Sequence, residues 1–283
     1  MNKNTVFVLG TGFSRSAGIP LVDELRDEAF ARCEWPKITS SCDYSSFEQL
    51  LMELRVSPDA HDLNVCRKLL HSSLRVLWEK HQEMSDLPAP YGRFAEVAGK
   101  SLGIVSLNWD LVCELALYTH DKAWTYSEGP GVQVIKPHGS INWTNHALVP
   151  KQKWKNGNGF VQIESRDSAS YRPSDPFEDP LAGCDSEEFE YVTFPGPLQQ
   201  NASVLESLWG KVRRLFANAS TVTFIGYSLP RYDAEARYEY RTALSGKKIS
   251  VINPCEKTLE AYRDFFGNSI DGQLNRFEDY SFL

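Results

Sequence analysis

The 283-residue chain has no excess of positive charge, no C-x-x-C pair of cysteines, no apolar run of membrane-spanning length and no internal repeat of fixed period. Thirty Lys and Arg stand against 37 Asp and Glu, a formal net charge of −7. Nucleic acids and anionic membranes are bound by clustered cations, so neither is expected as a direct partner. The alternating Lys151, Lys153 and Lys155 of KQKWK read as a solvated edge or loop. The six cysteines, Cys33, Cys42, Cys66, Cys113, Cys184 and Cys255, are widely scattered, which gives no support to a thiolate zinc site or a dense disulfide framework. No segment approaches the roughly 20 apolar residues of a membrane helix, and the short apolar run after Asn4 lacks the basic start and cleavage site of a signal peptide. The expectation is a reduced, cytoplasmic protein in which the sequons at Asn142, Asn201 and Asn218 are chance matches.

What is present is organised around residues 5–20, TVFVLGTGFSRSAGIP. An apolar, β-branched run of strand length stops at Gly10-Thr11-Gly12, where the chain must turn sharply. Glycine lacks a Cβ and tolerates positive φ, so a bound group can approach the main chain and meet N–H donors; a pyrophosphate is the natural guest. The spacing is not the full dinucleotide fingerprint and no G-K-[ST] follows, so on this stretch alone an ordinary βα turn stays open.

Residues 21–31 read as a helix. From 34 to 87 the pattern is helical without a good strand, with Phe47, Leu50, Leu51 and Leu54 on one apolar face and Leu69, Leu70, Leu74 and Leu77 on another. We expect a helical insertion lying over the glycine turn, its His61, His71 and His81 being solvated or capping residues. A helix around 94–98 and a strand over 102–107 follow, with Asn108 and Asp110 just past the strand's carboxyl end, the edge at which open α/β sheets bind ligands. Asp110 reads either as chemistry or as an Asx cap of the next helix, 111–118. Strand 132–135 leads to His138, set between Pro137 and Gly139 and better placed to face a cleft than to pack. Residues 150–197 are irregular and acidic, a flap or interaction segment. A helix at 204–216 precedes strand 221–225, which ends at Gly226-Tyr227-Ser228; Ser228 reads as a phosphate donor or as a turn cap. Helix 233–244, strand 248–252 and Asn253-Pro254 complete an α/β order that predicts a Rossmann-like, doubly wound parallel sheet.

Five polar turns then fall at one edge of one sheet, and as a set they resemble the sirtuin family, in particular its bacterial, defence-associated sirtuin-like branch of NADases. Gly10 to Pro20 resembles the opening GAG-x-S-x-x-x-GIP, Ser106-Leu-Asn-Trp-Asp110 the T-x-N-x-D motif, Pro137-His-Gly139 the catalytic HG, Gly226-Tyr-Ser228 the G-[TY]-S and Ile252-Asn253 the IN. The resemblance implies one NAD-binding domain over 1–283 in which Gly10, Thr11, Gly12, Phe13 and Ser14 hold the pyrophosphate, Gly226 and Ser228 face it, and Asn253 takes the adenosine ribose. It implies that Asn108 holds the nicotinamide ribose and the attacking water, Asp110 the carboxamide, and that His138 is the general base. The zinc ribbon of the deacylases is replaced by the flap, Leu107 stands where a glutamine is usual, and Leu21-Val-Asp23 replaces D-F-R. No zinc is expected, and the expected activity is hydrolysis of NAD to nicotinamide and ADP-ribose, as a regulated effector of anti-phage defence. Protein deacylation, ADP-ribosyl transfer and non-catalytic NAD or ADP-ribose sensing are the alternatives. Members of that branch work as oligomers or with partners, so a homo-oligomer and a HerA-type ATPase or short Argonaute partner are expected.

Overall fold

Five consecutive apolar and β-branched residues need cover on both faces, and Thr5–Leu9 (β1) receives it as the central strand of a seven-stranded sheet with every side chain buried. The structure is a computed structural model that describes residues 4–33, 47–84, 86–126, 129–141, 143–144, 172–173, 202–267 and 270–282. After β1 come a single helical turn, α1 (Thr11–Ser14), a 3-10 turn and α2 (Val22–Arg32), then α3 (Phe47–Val56), α4 (Ala60–Glu83) and α5 (Ala89–Ala98). The chain continues through β2 (Gly103–Ser106), α6 (Val112–Thr119), β3 (Trp124–Thr125), β4 (Val132–Ile135), β5 (Trp143–Thr144) and β6 (Arg172–Pro173). It closes with α7 (Ala202–Asn218), β7 (Thr221–Ile225), α8 (Ala234–Ala243), β8 (Lys248–Ile252), α9 (Glu256–Phe266) and β9 (Asp271–Gln273).

The main sheet runs β3-β4-β2-β1-β7-β8-β9 and every pairing in it is parallel. This is the Rossmann-like α/β sheet expected. The chain builds outward from β1 on one side and returns to pair β7 on the other, so the order reverses between β1 and β7, where open sheets of this kind leave a crevice. A separate antiparallel pair joins β5 to β6. Apart from β6, the segment 150–197 expected as a flap lies outside the described residues, as do Lys151, Lys153 and Lys155.

Two aromatic layers cover the sheet. Phe13, Tyr91, Phe94 and Phe277 interlock with ring centroids 4.6 to 5.2 Å apart, while Phe224 meets Tyr240 and Tyr262 at 5.2 and 5.1 Å. The two leucine faces anticipated between 34 and 87 are buried in α3 and α4, and α4 packs on both α2 and α3. Each such side chain contributes about 1.5–3 kcal/mol when withdrawn from water, which fixes these helices above the carboxyl edge near β1. Several elements have no counterpart in the sequence reading, the short pair β5 and β6 and, in the body of the fold, β3, α9 and β9. Two residues of strand carry no period, α9 buries only Thr258, Leu259 and Tyr262, and β9 is the polar triplet Asp-Gly-Gln, a strand only because β8 offers it an edge.

Candidate functional site

The glycine turns after β1 and β7 sit directly on one another. Gly10 N–H donates to Ile225 O at 3.0 Å and Gly12 N–H to Gly226 O at 2.9 Å. A Cβ on Gly226, which has φ +63°, would lie 2.3 Å from Phe13 N, and one on Gly12 would lie 2.8 Å from Gly226 Cα. These glycines are therefore demanded by the closeness of two main chains, a reason separate from any ligand. Phe13 turns its ring into the aromatic layer, so only its main chain is near the edge.

Beside the turns, Asn108 is buried and its Nδ2 donates to Gly10 O at 3.0 Å and to Ser14 Oγ at 3.1 Å. Because the Gly10 carbonyl only accepts, the amide orientation is fixed, and Asn108 Oδ1 is left buried without a partner among the described residues. Ser14 Oγ in turn donates to Asp110 Oδ1 at 2.9 Å. The Ser14 hydroxyl thus lies between two site residues. Asp110 Oδ1 also accepts from Val112 N–H at 3.0 Å, the Asx cap foreseen for α6.

Under Asp110 lies a fully buried ion pair. Lys136 Nζ is 2.9 Å from Glu114 Oε1 and donates to the main-chain oxygen of Asp110, while Tyr126 OH donates to Glu114 Oε1 at 2.8 Å. Burial pushes the Asp110 carboxyl above its ordinary range; the Lys136 charge and the hydrogen bonds from Val112 and Ser14 hold it down in part.

The second polar turn is stitched to the first. Trp109 Nε1 donates to the His138 main-chain oxygen at 3.1 Å, and Ile141 N–H to the Trp109 oxygen at 3.0 Å. Gly139 closes the His138 turn by donating to Lys136 O at 3.0 Å, at a φ of +83°. The imidazole of His138 is buried; Nε2 lies 3.3 Å from Asp233 Oδ2, neither ring nitrogen makes an aligned hydrogen bond among the described residues, and Trp209 meets the ring edge-on. Asp233 caps α8 through Ala236 N–H and accepts from Tyr227 OH at 2.6 Å.

Part of this set faces one cleft, with about 560 Å³ of empty space that includes the solvent at its mouth. Thr11, Asn108, Asp110 and His138 supply its polar wall, and Ile19, Val22, Leu25, Phe47, Leu77 and Trp109 are among its apolar lining. Of the residues anticipated from sequence, these four polar ones come together. Gly10, Gly12, Phe13, Ser14, Gly226, Ser228 and Asn253 stand at the same sheet edge but do not line it. Ser228 is exposed, and Asn253 Oδ1 accepts from Cys255 N–H at 3.0 Å as an Asx turn. His81 accepts the N–H of Leu111 at 2.8 Å, so it caps the entry to α6 instead of its own helix, and desolvation, aided by Lys136, lowers it to about 3. Lys136, Glu114, Tyr126 and Asp233 escaped the sequence reading. Lys136 alone left a trace, a lysine directly after the apolar run VQVI. Among the described residues no group of three His, Cys, Asp or Glu side chains is placed to hold a metal ion, and no helix is long and apolar enough to cross a membrane.

No protein-family model matches the sequence, and no curated protein matches it. Solved structures do. A mutant Sir2 homologue in a 2′-O-acetyl ADP-ribose complex is similar at 16% identity and a TM-score of 0.52, covering 97% of this chain and 87% of that one. A Sir2 homologue–NAD complex is similar at 15% identity and a TM-score of 0.51, covering 97% and 85%. Strand order, parallel pairing and these superpositions agree: the chain has a sirtuin-like fold.

Proposed function

We propose that the chain is an NAD glycohydrolase in which water replaces nicotinamide at the ribosyl carbon of NAD. The observation that carries this is Asn108 Oδ1, a buried acceptor with no hydrogen-bond partner among the described residues, on the wall of the cleft that also holds His138. A buried acceptor left unpaired costs about 1–3 kcal/mol, and a hydroxyl or water donating to it would recover that cost. The residue types fit a dinucleotide: an amide for a ribose hydroxyl or water and a carboxyl at Asp110 for a carboxamide.

The bond from ribose to nicotinamide breaks with its electron pair passing to the pyridinium nitrogen, so the leaving group departs neutral and needs no strong acid. Charge grows on the ribose, and catalysis is then mainly positioning and electrostatics. Asn108 orients the water without adding charge, and His138 takes the proton released as the carbon–oxygen bond forms. Thr11 and the apolar walls would keep bulk water from the remainder of the site. Helices α3 and α4, which contribute Phe47 and Leu77 to the cleft, are where we place restraint of the enzyme by oligomer or partner contacts, in keeping with a regulated effector of defence against phage.

The test is incubation of wild type, Asn108→Ala and His138→Ala with NAD, alone and with the products of adjacent genes, with products identified by mass spectrometry. Free nicotinamide and ADP-ribose from wild type, and at least about 100-fold less from either variant, is the expected result. NAD left intact under every condition overturns the proposal; O-acyl-ADP-ribose or ADP-ribosylated protein moves the acceptor from water to a protein group.

A further inference from the structure

We infer that Asp233 is a positioning residue for His138, holding the imidazole as the Nε2–H tautomer and keeping Nδ1 as the basic nitrogen. The inference rests on His138 being the proton acceptor proposed above. Asp233 is 1% exposed, and its Oδ2 lies 3.3 Å from His138 Nε2. Among the described residues both nitrogens of the ring lack an aligned partner, and general bases often sit at such lengths until substrate draws the pair together. The carboxylate is itself pinned from two sides, by Tyr227 OH at 2.6 Å on Oδ2 and by Ala236 N–H at 3.3 Å on Oδ1. Neither donor carries charge. Burial keeps the Tyr227 hydroxyl protonated by raising it well above its usual range.

The titratable groups near His138 come from several elements. Lys136, two residues before it, is neutralised by Glu114 of α6; Asp110 shares the cleft wall; Tyr227 follows β7 and packs on Tyr240 of α8; His81 of α4 accepts from Leu111 N–H, and burial, aided by Lys136, keeps its ring neutral; α7 presents the uncharged Trp209. Among the described residues Asp233 is the carboxylate within ion-pair reach of the ring. An imidazolium formed as His138 takes a proton would therefore be stabilised by Asp233, and the neutral ring would direct its N–H there.

The test reads the imidazole itself. Histidine-labelled protein gives nitrogen-15 spectra that report the tautomer of each ring, with His138 assigned by its loss in His138→Gln. Asp233→Asn keeps a good helix cap and an acceptor for Tyr227 but removes the charge. We expect His138 to lose its single Nε2–H tautomer in Asp233→Asn, with the Nδ1–H form becoming populated. Tyr227→Phe, which frees Asp233 Oδ2 from its other donor, strengthens the bond from Nε2–H and moves that proton's resonance downfield, so the pairing is tested even where Asp233→Asn folds poorly. With NAD, Asp233→Asn lowers kcat at least about tenfold with little change in KM. An unchanged tautomer in Asp233→Asn and an unmoved Nε2–H resonance in Tyr227→Phe would show that Asp233 only caps α8 and anchors Tyr227, and would overturn the inference. The spectra need no turnover, so a wild type that leaves NAD intact refutes the hydrolase proposal while the pairing is still decided.

Discussion

Replacing Lys136 by methionine removes the cation from a pair whose two members are both fully buried. Glu114 would keep one neutral donor, Tyr126 OH at 2.8 Å, and would lose its counter-charge. Breaking a buried pair from one side costs about 3–5 kcal/mol, because the abandoned charge cannot reach water. With a guanidinium m-value near 4 kcal/mol per molar, the unfolding midpoint moves down by about 1 M. Asp110 is affected as well, since Lys136 is the largest influence holding its carboxyl down. A group raised in the folded state contributes stability below its unfolded pKa and loses it as pH rises through the folded value. The loss in Lys136→Met therefore deepens as pH rises through the Asp110 range. Pairing the change with Glu114→Gln, which keeps the acceptor for Tyr126 and discards the charge, is expected to return all but about 1–2 kcal/mol, the worth of the donor lost to the Asp110 oxygen. Guanidinium unfolding of the two single variants, the double and wild type closes the cycle. A midpoint for Lys136→Met within experimental error of wild type, or a double variant no better than the single, refutes the reasoning.

Gly226→Ala places a methyl 2.3 Å from Phe13 N at a φ of +63°; we expect a loss exceeding the roughly 1–2 kcal/mol of left-handed strain alone, seen as a lower thermal midpoint. His81→Gln retains an acceptor for Leu111 but cannot titrate. The depressed imidazole contributes stability above its unfolded pKa, about 6.5, that is lost as pH falls toward its folded value of about 3, so denaturation across that window will be flatter in the variant than in wild type.

The carboxyl edge was legible because strands of five or so apolar residues announce themselves and their ends are marked by glycine, Asn-x-Asp and Pro-His-Gly. Strands β1, β4, β7 and β8 run over the residues the sequence suggests. What could not be read is what depends on a partner far along the chain. Ser14 reads as a phosphate ligand next to Gly12, yet its hydroxyl is spent 96 residues away on Asp110. Glu114 looks like a solvated residue of a short helix and is buried because Lys136, on another element, neutralises it. Asp233 has the signature of an N-cap, which it is, and nothing local indicates that an imidazole lies against its other oxygen. β9 has no apolar signature at all and borrows its conformation from β8.

The contact between Gly12 and Gly226 has a consequence for how such a pocket can change. Each turn fills the space a side chain of the other would need, so neither can acquire bulk, bend or slide unless its opposite does so simultaneously. Variation in the cleft must then be written on the freer neighbours, Thr11, Leu107 and Trp109, and any opening of it must come from the helices that line it, since the sheet edge beside it behaves as a single welded seam.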